Sequence, residues 1–405
     1  MEDILSIQSG VEFDESISHY ETHAHQPYTS LNFSNNDEIR IAIQHQDLNL
    51  LPSRSSIHIQ GRITDDKGAP AADVSLVNNG MSFLFEEIRY ELNGMEVDKC
   101  KNVGLTSIMK GFPSMNPNHQ AIIENAGWHG LAAPSQIANQ EGFFDINIPL
   151  RMVLGFAEDY TKIIVNIKHE LILTRSRSDL NAVISNNKDA KFIIELKKIE
   201  WIMPYVHLSD KQKIHLLKRV EKNSAIAVPF RSWDLYENPF LPASKQHVWT
   251  VKTTNQMEKP RYLILGFQTK RKLDIKRNAG EFDHCNITNV KLFLNSQYYP
   301  YGNLDIDFKQ NRYAALYDMF TNFQSSYYNK NPAPMVTKNQ YRDHLPLIII
   351  DCSKQNEILK TGSVDVRLEF DASENFPTGT SAYALIIHDR IIEYKPMSGD
   401  VRKVN

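Results

Sequence analysis

Cysteine is scarce in this 405-residue chain: Cys100, Cys285 and Cys352 are odd in number and far apart. That argues against a secreted disulfide scaffold and fits assembly in a reducing compartment. No CxxC spacing exists, which argues against a structural zinc site. Long apolar runs are missing too: the longest, such as Leu345 to Ile350, fall far short of a membrane span. The start, MEDILSIQSG, has neither a basic segment nor an apolar core, so it does not read as a signal peptide. Positive charge is not in excess, with 45 Lys and Arg against 48 Asp and Glu and a net charge of −3. This excludes a strongly basic nucleic-acid binder. The first 15 residues hold Glu2, Asp3, Glu12, Asp14 and Glu15 but no Lys or Arg, so a basic packaging arm is absent from that end. Lys395, Arg402 and Lys403 form only a weak cluster at the other, read as a solvated tail. There is no Gly-x-Ser-x-Gly, no phosphate-cradling Gly-Lys-Ser/Thr loop and no dinucleotide glycine fingerprint.

What the chain does have is a long internal repeat. Ile57-His58-Ile59-Gln60-Gly61-Arg62-Ile63-Thr64 returns as Tyr262-Leu263-Ile264-Leu265-Gly266-Phe267-Gln268-Thr269. Glu87 to Gly94 returns as Asn289 to Ser296, and Val165 to Leu171 as Val364 to Phe370. The order is kept and the offsets are 205, 202 and 199. Solenoid periods are about 20–50 residues, so this spacing indicates two copies of a whole domain. Apolar content of 41% is enough for two packed cores in a chain too long for one.

Strand signals dominate both copies. Ile39 to Gln44 and Ser56 to Ile63 alternate apolar and polar residues, and Asn93-Gly94 is a hairpin turn within Phe83 to Val97. Phe143 to Pro149, Lys162 to Leu173 and Lys191 to Val206 complete the first half. Pro260 to Gln268, Asn286 to Leu294, His344 to Asp351, Ser363 to Phe370 and Ala382 to Tyr394 repeat the pattern. Pro149 and Pro346 mark boundary or edge strands. Ser209 with Gln212 reads as the capping box of a linker helix over Ser209 to Asn223, with Ile214, Leu217 and Val220 on one face. Asn102 to Phe112 and Arg312 to Phe323 are loop helices at matching places in the two halves. The expected fold is all-β: two tandem eight-stranded jelly rolls with short loop helices and a linker helix. The expected divisions are an N-terminal arm 1–35, a first jelly roll 36–208, a linker helix 209–225, a second jelly roll 226–395 and a tail 396–405.

No residue pattern in the sequence assigns a catalytic, cofactor-binding or metal-ligating role. His23-Ala24-His25 puts two imidazoles on one face of a strand, but the later Glu of a cupin-type His-x-His site is replaced by Thr29 and Ser30. An exposed polar loop is the better reading. His215 sits in the linker helix, and His344, His388 and Asp389 are not ordered as a triad. Glu86 and Glu87 point to opposite faces of a strand. Lys270-Arg271-Lys272 with Lys276 and Arg277 is the densest basic cluster, without the interleaved aromatics of a strand-binding groove, so a solvated loop is favoured. Tyr298, Tyr299, Tyr301, Tyr327 and Tyr328 support an alternative reading as a lectin-like glycan binder.

The run Ser296 to Phe308, the helix Arg312 to Tyr317, and then Pro346 to Asp351, Gly362 to Phe370 and Ala382 to Tyr394 resemble double jelly-roll proteins. The similar families are the major capsid proteins of Polinton/Maverick and adintovirus-type elements and the double jelly-roll-like proteins of arthropod genomes, within the adenovirus-like capsid lineage. The resemblance is most specific over residues 255–395. It implies a non-enzymatic structural protein without cofactors, forming pseudo-hexameric homotrimers that tile an icosahedral virion shell. Neighbouring trimers and a smaller single jelly-roll penton protein are the implied partners. Neither a membrane span nor sequence-specific nucleic-acid binding is implied. A domesticated host gene of capsid origin has the same sequence features.

Overall fold

A computed structural model describes residues 16–29, 32–44, 49–71, 73–129, 131, 137–252, 259–354 and 364–404. The acidic start from Glu2 to Glu15 lies outside them. The first half runs through β1 (Ile17–His25), β2 (Glu38–Ile43), β3 (Asn49–Leu50), β4 (Ser56–Thr64), β5 (Ser75–Leu76), β6 (Phe85–Leu92), β7 (Met95–Lys101), β8 (Phe143–Pro149), β9 (Ile164–Val165), β10 (His169–Arg175), β11 (Val183–Ile184) and β12 (Ile193–Leu208). The second runs through β13 (Ile226–Asn238), β14 (Gln246–Lys252), β15 (Pro260–Thr269), β16 (Ile287–Leu294), β17 (Gln297–Tyr299), β18 (Ile348–Asp351), β19 (Val366–Ala372), β20 (Thr380–Tyr394) and β21 (Val401–Val404). The helices are α1 (Gly80–Phe83), α2 (Val103–Ser114), α3 (Gln120–Glu124), α4 (Gly155–Asp159), α5 (Asp210–Glu221), α6 (Ala314–Tyr328) and α7 (Lys338–His344).

Sheet order β1-β12-β4-β8 faces β2-β10-β6-β7, and β13-β20-β15-β18 faces β14-β19-β16-β17. Setting aside the short β3, β5, β9, β11 and β21, the first, third, sixth and eighth strands of each half make one sheet and the rest make the other. The chain therefore crosses between sheets in the same order twice. These are two antiparallel jelly rolls in tandem, the fold class expected.

Local sequence explains most of this. In β6, Ile88, Tyr90 and Leu92 are buried while Glu87, Arg89 and Glu91 keep to the wet face. Asn93 and Gly94 both have positive φ, 49° and 81°, as the tight hairpin joining β6 to β7 requires. Tyr90 then meets Trp201 of the facing sheet edge-on at 6.2 Å. In the second core Phe267 of β15 meets Phe370 of β19 at 5.1 Å. β8 and β18, flanked by Pro149 and Pro346, are sheet edges as their prolines required.

The repeat is real, but two of its three alignments slip. Gly61 shares the inner face of β4 with Ile57 and Ile59, which pair across to Trp201 and Ile199. Gly266 shares the outer face of β15 with Tyr262, whose ring packs on Phe323 and Tyr327 of α6. Matching these glycines therefore swaps faces, the consequence of an odd-residue slip in a period of two. The pattern failed because α6 covers the outer face of β15, leaving it apolar on both sides. At the third match, Tyr90 pairs with Leu171 and its equivalent Leu292 pairs with Leu368, so the true partner of Leu171 is two residues short of Phe370. That slip keeps the face and changes only the register.

Other expectations also shift. Residues 17–25 are not a loop but β1, paired with β12. Its alternation is invisible because Ser18 to Ala24 are exposed on both faces. The described part of the expected arm thus occupies the first-strand position of the first jelly roll. Ser209 is at the N-cap of α5, yet its side chain makes no capping bond, and Ile214 and Leu217 are exposed. The true capping box is Thr337 with Gln340, opening α7. α7 consumes the start of the strand expected from His344, which begins instead at Ile348.

Candidate functional site

The strongest site-like feature is the seam where one jelly roll meets the other. α2 and α6, the paired loop helices of the two halves, come together here: the Gln324 side-chain amide donates to the Met115 carbonyl at 2.8 Å. Lys110 of α2 is buried, and its ammonium donates to Tyr328 Oη (2.7 Å), Ser114 Oγ (3.0 Å) and Glu158 (3.1 Å). It also sits 4.3 Å from the Tyr327 ring centroid and 4.8 Å from that of Trp233. Desolvation lowers the Lys110 pKa, and Glu158 opposes the shift. Tyr327 and Tyr328 both donate to Glu158, at 2.9 and 2.5 Å.

Beside this cluster β13 runs along the first jelly roll. Arg231 clamps Asp159 at 2.6 and 2.8 Å and lies over the Tyr327 ring. A Cβ on Gly155 would stand 1.8 Å from the Arg231 carbonyl oxygen, so only glycine lets α4 abut this strand. On the other face of β13, Phe230 meets Phe156 edge-on, and Ser232 donates to Asp98 at 2.8 Å. Burial pushes the Asp98 carboxyl up to about 6, against the pull of Arg390. Buried apolar, aromatic and paired ionic contacts of this kind make the two halves one block.

β1 holds the equivalent position in the first jelly roll, since it pairs with the last strand as β13 does. Its inward-side face carries His19, Glu21 and His23, all exposed. His19 Nε2 lies 3.1 Å from Glu21 Oε1, and His23 Nε2 lies 3.0 Å from Oε2. Hydrogen bonds from His23 and His19 hold the Glu21 carboxyl down at about 2. His207 stands across the ladder from His19 with the two rings stacked at 4.2 Å.

The residues singled out in the sequence scatter. His25 turns to the Tyr205 hydroxyl at 2.8 Å rather than joining His23. His344 pairs with Glu281, His388 with Asp234 and Asp389 with Arg261, so no triad forms. His215 is exposed on α5. The basic cluster is partly paired from within the fold: Arg271 binds Asp283 and Glu281, Lys272 binds Glu237, and Arg277 donates to the Thr269 carbonyl. Of the five tyrosines, Tyr327 and Tyr328 are committed to the seam and Tyr299 is buried. Only Tyr298 (36% exposed) and Tyr301 (69%) face solvent substantially. The seam itself was missed, although the matching positions of the two loop helices were the available signal. No helix among the described residues is long and apolar enough to cross a membrane.

Geometry thus defines a class: a protein of two jelly rolls fused flank to flank. The family model for a double jelly roll-like domain matches residues 74–392, and the chain belongs to that family. Solved structures share the fold at low identity. The PBCV-1 virus capsid aligns with a TM-score of 0.64 at 9% identity, covering 98% of this chain and 99% of that one. The Faustovirus major capsid protein gives 0.60 at 9%, covering 95% and 92%. The mavirus major capsid protein gives 0.55 at 11%, covering 98% and 92%. No curated protein matches the chain in sequence.

Proposed function

We propose that this chain is a non-enzymatic major capsid subunit that works by self-assembly, three chains closing into a pseudo-hexameric ring that tiles a virion shell. The observation that carries this reading is the asymmetry between β13 and β1. The Phe230 and Ser232 face of β13 is buried against the first jelly roll of its own chain, at β7 and α4. The matching face of β1 has no such cover. A head-to-tail contact that repeats and closes generates a ring. In that ring β1 of one chain meets the β17 flank of the next, because β17 is the second-half counterpart of β7. Tyr298 and Tyr301 stand exposed on that flank, with Lys291 over the Tyr298 ring, opposite in charge to Glu21. Weak contacts suffice for a shell because every trimer has several neighbours. Kinship with the Polinton/Maverick and adintovirus type rests on residues 255–395, and a smaller penton protein is the partner this assembly needs at its fivefold positions. Glycan binding loses support with Tyr327 and Tyr328 committed to the seam.

Negative-stain imaging of the purified protein tests the reading. Six-lobed particles with threefold symmetry, or closed shells, are expected. Fields of single two-lobed particles at micromolar concentration would refute it.

A further inference from the structure

We propose that His19, Glu21 and His207 form a binding site for a zinc-class divalent cation, with His23 beside it as a further donor. The three residues each present a ligand atom, and these atoms all lie within 4.8 Å of one another. Their placement follows from strand geometry. His19 and Glu21 are two apart on β1 and so share a face, and the ladder sets His207 of β12 opposite His19. Donors around a tetrahedral zinc, with bonds of about 2.0–2.1 Å, stand roughly 3.3 Å apart. Glu21 Oε1 lies 3.1 Å from His19 Nε2, and its other oxygen, Oε2, lies 3.5 Å from His207 Nε2. Exposed side chains at His19 and Glu21 close the remaining gap by rotation alone.

A second observation points to a ligand. His207 Nε2 is shielded from solvent and has no hydrogen-bond partner among the described residues, though it faces the Glu21 carboxylate. A cation seated between His207 and Glu21 would use the lone pair that His207 Nε2 leaves without a hydrogen bond. Two or three imidazoles with one carboxylate suit zinc, copper or nickel rather than calcium or magnesium. Beyond ring contacts to His207 and Tyr205, little burial holds β1 in place, since every residue from Ser18 to Ala24 is exposed. The cation would supply that fixation, tying the first strand of the chain to the last strand of the same jelly roll. All donors belong to one chain, so the site needs no second chain to be complete.

The test titrates zinc ions into the full chain at pH 7.5 by calorimetry and follows hydrogen exchange of the β1 amides. The expected result is one zinc per chain at micromolar or tighter affinity, with β1 exchange slowed at least tenfold. His207→Ala and His19→Ala should each weaken binding at least tenfold. His58→Ala, which removes a histidine paired with Asp145 on the outer face of β4, should leave it unchanged. Circular dichroism checks that each variant is folded. Absence of binding at 100-fold excess zinc, or binding by folded His207→Ala equal to the parent, would overturn the site.

Discussion

Lys110 shows at the level of one residue how the two jelly rolls are held together. Its ammonium is enclosed by groups from both halves: Ser114 and Glu158 from the first, Tyr327, Tyr328 and Trp233 from the second. Removing one partner of a buried ion pair leaves the other charge uncompensated, at a cost of about 3–5 kcal/mol. Lys110→Met should therefore destabilise the chain by about that much in urea unfolding. Adding Glu158→Gln should cost clearly less than the sum of the single changes, since the pair is lost once. Additive losses would mean the two groups do not interact. His169 provides a pH signature. It is buried, its Nδ1 lies 2.6 Å from the Tyr90 hydroxyl, and desolvation depresses its pKa from the ordinary 6.5 to about 3. A depressed folded-state value contributes stability that is full above pH 6.5 and is lost as pH falls toward 3. Between pH 6.5 and 5 that loss is about 2 kcal/mol. His169→Gln should remove it, so unfolding free energies compared at pH 7 and pH 5 should fall by about 2 kcal/mol less in the variant than in the parent. An unchanged difference would show that His169 is not held neutral.

Elements were legible where one face is wet and illegible where neither or both are. β2 and β6 declare themselves by alternation, and Asn93-Gly94 fixes its hairpin by backbone chemistry alone. β15 conceals its register because α6 supplies apolar cover on the outer side, and β1 conceals itself because both faces are polar. The His19, Glu21 and His207 cluster was unreadable for a related reason: His207 joins the others only through the pairing of the first strand with the last. Caps divide in the same way. Ser209 and Thr337 look alike in sequence, each with Gln three residues on, but only Thr337 makes the reciprocal bonds. Thr337→Ala should cost about 1 kcal/mol. Ser209→Ala should fall within about 0.5 kcal/mol of the parent, as surface changes without a bond do. Equal losses in thermal unfolding would contradict the assignment.

At the scale of the whole molecule the repeat acquires a physical meaning. Two jelly rolls of one topology present related flanks, and inside the chain one such pair is already joined at the seam. In the proposed ring the exposed flanks, β1 at one end and β17 at the other, would be the two halves of the same kind of contact. Sequence alone revealed the duplication and the fold. The seam showed in the sequence only as the matching places of the two loop helices, because Lys110, Glu158 and Tyr328 come from three distant segments that only tertiary packing unites. The most direct measurement is the mass of the purified chain in solution by light scattering at micromolar concentration, for the parent and for Tyr301→Asp on the β17 flank. The parent should have three times the 46.6 kDa chain mass and the variant should shift toward a single chain; a parent that is monomeric, or a variant still fully trimeric, would contradict assembly through β1 and β17.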